Sequence, residues 1–307
     1  MSARGARDLA ASVRDRLWTL ARERGEDVQV TLIRFAVERL LYRLSRSEYR
    51  EAFLLEGAML FSVWELLPHR STRDLDLLGR GSDNPNVVRR TIAEILATPV
   101  EPDGLDFGAG PIEIEPLHEG QDYQGVQVSL VVRLGMAKIP LQIDIAFGQS
   151  VRPEAVTETF PSLLGLPPPT LLAYPREVVV AEKFQTITAL GITNSRMKDF
   201  FDLAYIAAQF EFDARRLAQA VEATFQRRRT EIPATPPLAL TRAFFESKDR
   251  KRDWSAFRRR AGLDSEAEAL ESACGRIERL LAPICDWIRR GEVPPVRWNP
   301  ETGWPGE

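Results

Sequence analysis

The 307-residue chain is poor in cysteine and histidine, with two of each. If one helix carries Cys274 and Cys285, a rise of about 1.5 Å per residue holds them about 16 Å apart. That distance is too long for a disulfide, so we expect free thiols in a reducing cytoplasm. The histidines, His69 and His118, have no partners at metal-ligand spacing, and no role is predicted for them.

Long apolar runs and a strong net charge are also missing. No window approaches the roughly 18 consecutive apolar residues of a membrane helix, and the first residues alternate charged with apolar side chains instead of forming a signal-peptide core. The formal net charge of −3 excludes a uniformly basic nucleic-acid coat protein. The remaining composition, 44% hydrophobic and 28% charged, is that of an ordinary globular protein of one or two domains. We therefore expect a cytoplasmic protein without membrane contact.

Periodicity divides the chain into a mixed first part and a helical second part. It predicts helices over residues 6–24 and 29–47 and an α/β core over residues 53–150. A proline-rich joint, Pro161–Thr170, follows, and beyond it the pattern is helical to about residue 290. The predicted fold is α+β, with N-terminal helices and a mixed β-sheet core in residues 1–160, a helical domain in residues 161–292 and an irregular tail in residues 293–307.

Two aspartates, Asp74 and Asp76, lie two residues apart in a short predicted strand. Alternation puts both carboxylates on one face of the strand and the leucines on the other. A third aspartate, Asp144, sits between two isoleucines in a later alternating run. Three carboxylates on neighbouring strands form a hard-oxygen site suited to Mg²⁺, which would also offset their mutual repulsion. In isolation, an Asp-x-Asp pair would be interpreted as surface carboxylates.

A glycine turn precedes this strand. Residues Phe53–Glu56 predict a short strand, and Ala58–Leu67 predict a helix with one apolar face. Gly57 lies between them, where it lets the backbone approach a phosphate while the helix N-terminus points at it. Strand, glycine turn, helix, Asp-x-Asp strand and a distant strand with a third aspartate together resemble the nucleotidyltransferase superfamily of DNA polymerase beta type.

Longer stretches resemble one branch of that superfamily. Phe53–Asp76, the block from Ala181 to Leu203 and the helix Phe35–Ser47 are similar to the AbiEii/AbiGii toxin family. Its members are nucleotidyltransferase-like toxins of bacterial toxin–antitoxin and abortive-infection systems, and the similarity covers about residues 30–205. At the turn, the superfamily often has Gly-Gly or Gly-Ser, whereas this chain has Gly57-Ala58 and lacks the hydroxyl.

The resemblance implies roles for individual residues. Asp74, Asp76 and Asp144 would hold Mg²⁺ or Mn²⁺, and Asp144 would also serve as base for the incoming hydroxyl. Lys183 would place a point charge on the triphosphate of the NTP substrate, unless it extends outward to solvent. Contacts to the nucleotide are expected from Gly57, Ala58, Arg70, Ser71, Arg73, Lys183 and Asp202.

Asp199 and Asp202 lie at i and i+3 on one predicted helix face, and Asp199 is the preferred catalytic acid. They could position Lys183 or assist deprotonation of the acceptor. Alternatively, Arg196 and Lys198 could pair with them on the helix surface. The two arginines near the Asp-x-Asp strand could likewise reach phosphates or neutralise the acidic site when no metal is bound.

A basic stretch follows in the helical part. Between Arg215 and Arg260 there are thirteen Lys or Arg and five Asp or Glu, interleaved with aromatic residues. It is either a solvated helix face over core aromatics or the surface that carries an RNA acceptor, which we predict for Arg227–Arg260.

The predicted function is Mg²⁺-dependent transfer of a nucleoside monophosphate from an NTP to RNA. The resemblance implies the 3′ end of tRNA as acceptor and a cognate antitoxin as partner. Two alternatives remain open: a non-catalytic module that binds nucleotide or nucleic acid, and transfer to a protein hydroxyl. Because Asp74, Asp76, Asp144 and Lys183 are all present, a degenerate site is disfavoured. Neither the preferred NTP nor the acceptor is specified by the sequence.

Overall fold

The computed structural model describes residues 3–64, 74–117, 125–148, 151–263 and 268–305. The chain divides into a first unit, Met1–Ser150 with Ala155–Tyr174, and a second unit, Val151–Glu154 with Pro175–Glu307. The division thus falls at Pro175 and not at residue 160.

Two helices open the first unit, α1 (Ala3–Arg24) and α2 (Val28–Arg46), within a few residues of the predicted bounds. Asp27 begins α2 by accepting hydrogen bonds from the backbone N–H groups of Gln29 and Val30, which satisfies donors that a helix start leaves open. Nearly all of α2 from Val30 to Leu44 is buried. It is therefore a core helix of this unit.

The first unit is built on an eight-stranded mixed sheet. The strands are β1 (Phe53–Glu56), β2 (Asp74–Gly79), β3 (Leu105–Asp106), β4 (Glu113–Pro116), β5 (Gly125–Leu134), β6 (Ala137–Phe147), β7 (Val156–Thr159) and β8 (Thr170–Ala173). Their order is β3-β5-β6-β2-β1-β8-β7, and β4 also pairs with β5. The pairs β2–β6 and β1–β8 are parallel and the others are antiparallel. The predicted α+β fold with a mixed sheet is confirmed, although β7 and β8 lie beyond the predicted α/β core of residues 53–150. The helices α3 (Leu60–Val63) and α4 (Pro85–Leu96) complete this unit.

The proline-rich joint belongs to the first unit because a buried polar network ties it to α2. Arg39 donates a hydrogen bond to the carbonyl of Pro167 at 2.8 Å. Glu38 accepts from the Ser162 hydroxyl at 3.0 Å and from the Leu163 N–H at 2.8 Å, and burial raises the pKa of Glu38. Together with the pairing of β8 to β1, these bonds place the boundary after the joint.

The second unit is mainly helical, as predicted. Its helices are α5 (Arg176–Leu190), α6 (Met197–Gln209), α7 (Ala214–Arg227), α8 (Arg242–Phe245), α9 (Lys248–Ala261) and α10 (Leu270–Arg290). The helical pattern is interrupted before α8, where Leu238–Leu240 form a 3-10 turn and Thr241 is extended. Cys274 and Cys285 both lie on α10 and are buried free thiols, and burial raises the pKa of each to about 12.

The C-terminal tail is not irregular, contrary to the prediction from its prolines. Residues Arg297–Trp298 form β10, which pairs with β9 (Phe212–Asp213). The Trp298 indole donates to the Ala207 carbonyl at 2.8 Å, and the Trp304 indole donates to the Leu280 carbonyl at 3.0 Å. Both indoles are almost fully buried, so aromatic burial orders a segment whose local composition favours coil.

Candidate active site

Asp76 lies directly opposite Asp144 in the parallel pair of β2 and β6. Opposed residues on neighbouring strands share a face, and the strands are about 4.8 Å apart. The line continues on both sides, since Glu56 of β1 is opposite Asp76 and Gln127 of β5 is opposite Asp144. One row across four strands therefore carries three carboxylates and an amide. We call Glu56, Asp76, Asp144 and Gln127 the carboxylate row.

Asp74 faces the same side of the sheet but one pair further along. It is opposite Gln142, which is itself opposite Ser129. Asp74 is exposed, whereas Asp76 and Asp144 are partly buried. The three predicted aspartates thus share a face, and only Asp76 and Asp144 stand in direct register.

The apolar alternation of β2 and β6 fixes this orientation. Leu75 and Leu77 of β2 and Ile143 and Ile145 of β6 are at most 2% exposed. Burial of such side chains contributes roughly 1.5–3 kcal/mol each, so the opposite face of both strands is committed to the core. The aspartates are consequently held on the accessible face.

Two amide side chains hold the Asp144 carboxylate. Gln127 donates to Oδ1 of Asp144 at 3.1 Å, and Gln142 donates to the same oxygen at 3.2 Å. Two donors on one oxygen fix the rotation of the carboxylate. Sequence reasoning missed Gln127, Gln142 and Glu56 as part of the site, because alternation assigns a face to each residue but does not give the register between strands.

Gly57 makes room for the Asp76 carboxylate. Its φ of +69° is in the left-handed region, and a Cβ on this residue would lie 1.9 Å from Oδ2 of Asp76. Both conditions exclude other residues. Gly57 and Ala58 begin a 3-10 turn that leads into α3. The sequence assigned Gly57 to phosphate approach, whereas its direct structural effect is on a carboxylate.

The donor chemistry of the carboxylate row suits a hard divalent cation, since every donor is oxygen. In the part of the chain that the structure describes, however, no three histidine, cysteine, aspartate or glutamate side chains group closely enough to hold a metal ion by themselves. The fit is therefore to a cation that takes two protein carboxylates and completes its coordination with water and substrate oxygens, as Mg²⁺ commonly does.

Several predicted residues lie outside the described residues. Arg70, Ser71 and Arg73, assigned to nucleotide binding, fall in the gap between residues 64 and 74, as does His69. His118 lies in the gap between residues 117 and 125.

A separate charged cluster lies within the second unit. Nζ of Lys183 on α5 is 2.8 Å from Oδ1 of Asp199 and 2.8 Å from Oδ2 of Asp202, both on α6. Nε of Arg196 is 2.9 Å from the other oxygen of Asp199. The two aspartates are 2% and 0% exposed. The predicted pairing with Arg196 is present, but the carboxylates are buried and do not lie on the helix surface.

The pKa values in this cluster follow from the balance of burial and charge. Burial alone would lower the pKa of Lys183, but Asp199 and Asp202 together raise it above its usual 10.5. Burial likewise acts to raise the pKa of Asp199, while Lys183 and Arg196 bring it below its usual 3.8. This geometry supports the interpretation in which the acids position Lys183. That Lys183 contacts a triphosphate stays a prediction.

The first unit thus combines a mixed sheet with acidic side chains aligned on one of its faces. The family model described as "Nucleotidyl transferase AbiEii toxin, Type IV TA system" matches residues 39–276. The chain therefore belongs to the AbiEii nucleotidyl transferase toxin family, which confirms the resemblance seen in the sequence. Membership implies a nucleotide substrate and an antitoxin partner.

Two solved structures from Helicobacter pylori are among those to which this chain is similar. JHP933 is 12% identical, with 82% of this chain and 89% of that chain covered and a TM-score of 0.44. A candidate nucleotidyltransferase is 14% identical, with 83% and 94% covered and a TM-score of 0.45. No curated protein matches the chain. Across the described ranges, no helix has the length and apolarity needed to cross a membrane.

Proposed function

We propose that this chain transfers a nucleoside monophosphate from an NTP to a hydroxyl of RNA and releases pyrophosphate. The observation that carries the proposal is the direct register of Asp76 with Asp144. In the proposed step, the acceptor oxygen bonds to the α-phosphorus and the bond from that phosphorus to the leaving pyrophosphate oxygen breaks. The hydroxyl proton passes to a carboxylate base.

Asp76 and Asp144 are the proposed ligands of Mg²⁺ or Mn²⁺. Asp74, on the same face one pair away, is proposed to contact the cation through a bound water, since Mg²⁺ usually keeps several waters. When bound, such a cation offsets charge on the attacking and leaving oxygens. The oxygen donors and the space left by Gly57 support this assignment.

The residues around the aspartates would set their geometry. Gln127 and Gln142 hold Oδ1 of Asp144, which leaves Oδ2 as the atom proposed to act on substrate. Glu56, opposite Asp76, adds negative charge to the row and so favours cation binding. We propose that Gly57 and Ala58 lie near the phosphates, as the family resemblance implies.

In the cell, we propose, this activity makes the protein a cytoplasmic toxin that acts on RNA and is countered by its antitoxin. The 3′ end of tRNA is the first acceptor to test. A positively charged face on the second unit, described below, favours a polyanionic acceptor over a protein hydroxyl.

The decisive experiment incubates the purified chain with each α-labelled NTP, Mg²⁺ or Mn²⁺, and total RNA. Gel separation followed by nuclease mapping identifies the labelled species. Label on RNA that depends on a divalent cation is the expected result. Label on protein alone would establish transfer to a protein hydroxyl instead, and absence of label with all four NTPs and both metals would overturn the proposed activity.

A further inference from the structure

Helix α9 presents an outward face that is strongly cationic. It buries a single residue, Trp254, whose ring, with that of Phe257, packs on Phe201 of α6. One side of the helix is thus anchored on an aromatic cluster. The exposed basic residues on the rest of its surface are Lys248, Lys251, Arg252, Arg259 and Arg260. We call these five residues the α9 basic face.

Positive charge is concentrated on α9, although the net charge of the whole chain is negative. With seven Lys or Arg and two Asp, α9 has a formal charge of +5, against −3 for the full chain. Repulsion among like charges on one short helix is unfavourable in the isolated protein. A polyanion bound along the helix would relieve that repulsion.

Other cations of the basic stretch are committed to contacts inside the second unit. Arg227 donates to Glu182 at 2.7 Å, Arg228 donates to Gln185 at 2.7 Å, and Arg250 donates to the Asn194 carbonyl at 2.6 Å. By contrast, within the described ranges Lys248, Lys251, Arg259 and Arg260 form none of the ion pairs found, and Arg252 pairs only with exposed Asp249. The structure therefore separates cations that hold the unit together from cations that face outward.

We propose that the α9 basic face is the docking surface for the phosphate backbone of the RNA acceptor, an inference that rests on the proposed transfer to RNA. Lys251 and Arg259 stand at i and i+8, about 12 Å apart along the helix, which allows them to contact different phosphates of one strand. Lysine and arginine on a helix bind phosphates without reading bases. The contact would thus hold the acceptor regardless of its sequence.

The test compares two variants with matched composition. One replaces Lys251, Arg259 and Arg260 of α9 with glutamine. The control replaces Arg90, Arg133 and Lys138, exposed cations of the first unit, with glutamine. Fluorescence anisotropy measures binding of a labelled single-stranded RNA and of a labelled tRNA transcript between 50 and 300 mM salt, without NTP or metal. Melting temperatures verify that both variants are folded.

The α9 variant should lose at least about tenfold in RNA affinity at 100 mM salt, and its log–log salt slope should become shallower by about 2, since each single-strand phosphate contact contributes about 0.7. The control should stay within about twofold. An unchanged slope in the folded α9 variant overturns the inference. Binding of phosphatidylglycerol vesicles in place of RNA, with the same dependence on α9, would assign the face to a lipid surface and also overturn it.

Label transfer in the same preparations separates this inference from the proposed function. If the parent labels RNA and the α9 variant does so equally well at limiting RNA, the docking surface is wrong while the transfer activity stands. If RNA binds through α9 but no NTP yields label on RNA, the docking surface stands while the proposed activity is wrong.

Discussion

The carboxylate of Asp76 occupies the space that a side chain at Gly57 would fill, since a Cβ on that glycine would lie only 1.9 Å from Oδ2 of the aspartate. Gly57→Ala should therefore displace Asp76 and lower nucleotidyl transfer by at least about a hundredfold, by the scale of misplaced catalytic groups. The matched control is Gly25→Ala, whose φ is +63° but whose Cβ would meet nothing within 4 Å. Both should lose about 1–2 kcal/mol of stability from the left-handed backbone. Equal activity in the two variants would show that Gly57 matters only for its backbone conformation.

Asp76→Asn and Asp144→Asn should each reduce transfer by about a thousandfold or more, by the scale of lost electrostatic stabilisation. Asp144→Asn should not lower the melting temperature much, because asparagine keeps Oδ1 as the acceptor for Gln127 and Gln142 and removes one charge from an acidic row. Glu115→Gln is the control, since Glu115 is exposed and lies on β4, one strand beyond the carboxylate row, opposite Gln127. If Asp144→Asn retained full activity, the paired carboxylates would not be the reacting centre.

Replacing the amides that hold Asp144 should weaken metal activation without abolishing it. Gln127→Met and Gln142→Met remove one donor each from Oδ1, and loss of a partner that orients a metal ligand costs about tenfold to a hundredfold in metal affinity. The measurement is the Mg²⁺ concentration that gives half-maximal transfer. A fall in maximal rate at unchanged Mg²⁺ dependence would indicate another role for these glutamines.

Lys183→Met should destabilise the second unit by about 3–5 kcal/mol, because it leaves two buried carboxylates without their shared counter-ion. Combining it with Asp199→Asn and Asp202→Asn should restore much of that loss, since no buried charge remains. Urea unfolding measures both effects. If Lys183→Met melts like the parent but binds NTP more weakly, the lysine serves the triphosphate and not the fold.

The same cluster gives a pH dependence with a defined sign. The pKa of Asp199 is lowered from 3.8, so its stabilisation is complete above pH 3.8 and is lost as pH falls through the lower folded value. The pKa of Lys183 is raised from 10.5, so its stabilisation is complete below pH 10.5 and is lost as pH rises through the higher folded value. The difference in unfolding free energy between parent and triple variant should therefore shrink at both extremes. A difference that is flat with pH would contradict the coupling.

Local residue patterns predicted most helices and strands, whereas the pairing of strands that are far apart in sequence could not be predicted. The helices α1 and α2 have clear periods, and their predicted bounds were within a few residues of the observed ones. The partner of Asp76 was less accessible to prediction, because β2 and β6 are far apart in sequence and only the assembled sheet sets their register. Alternation indicated that three aspartates share a face, but it could not show that Asp74 faces Gln142.

The burial of individual side chains was the second property that residue patterns did not predict. The block around Asp199 and Asp202 was recognised, yet a surface ion-pair set and a functional pair have the same spacing. Packing of α5 on α6 makes the aspartates internal, and no local signal reports it. The tail was predicted to be irregular for a related reason. Its tryptophans, Trp298 and Trp304, are buried only against the assembled helices of the second unit.

The alternation of apolar and acidic residues in β2 and β6 also links the stability of the sheet to the alignment of its carboxylates. A slip of one residue in their pairing would turn Leu75 and Ile143 to solvent and drive the aspartates into the core. Such a chain would lose both its apolar packing and its aligned carboxylates in the same event. In this member of a toxin family, stability and the alignment of the carboxylates therefore depend on the same register, so a misaligned molecule would have neither.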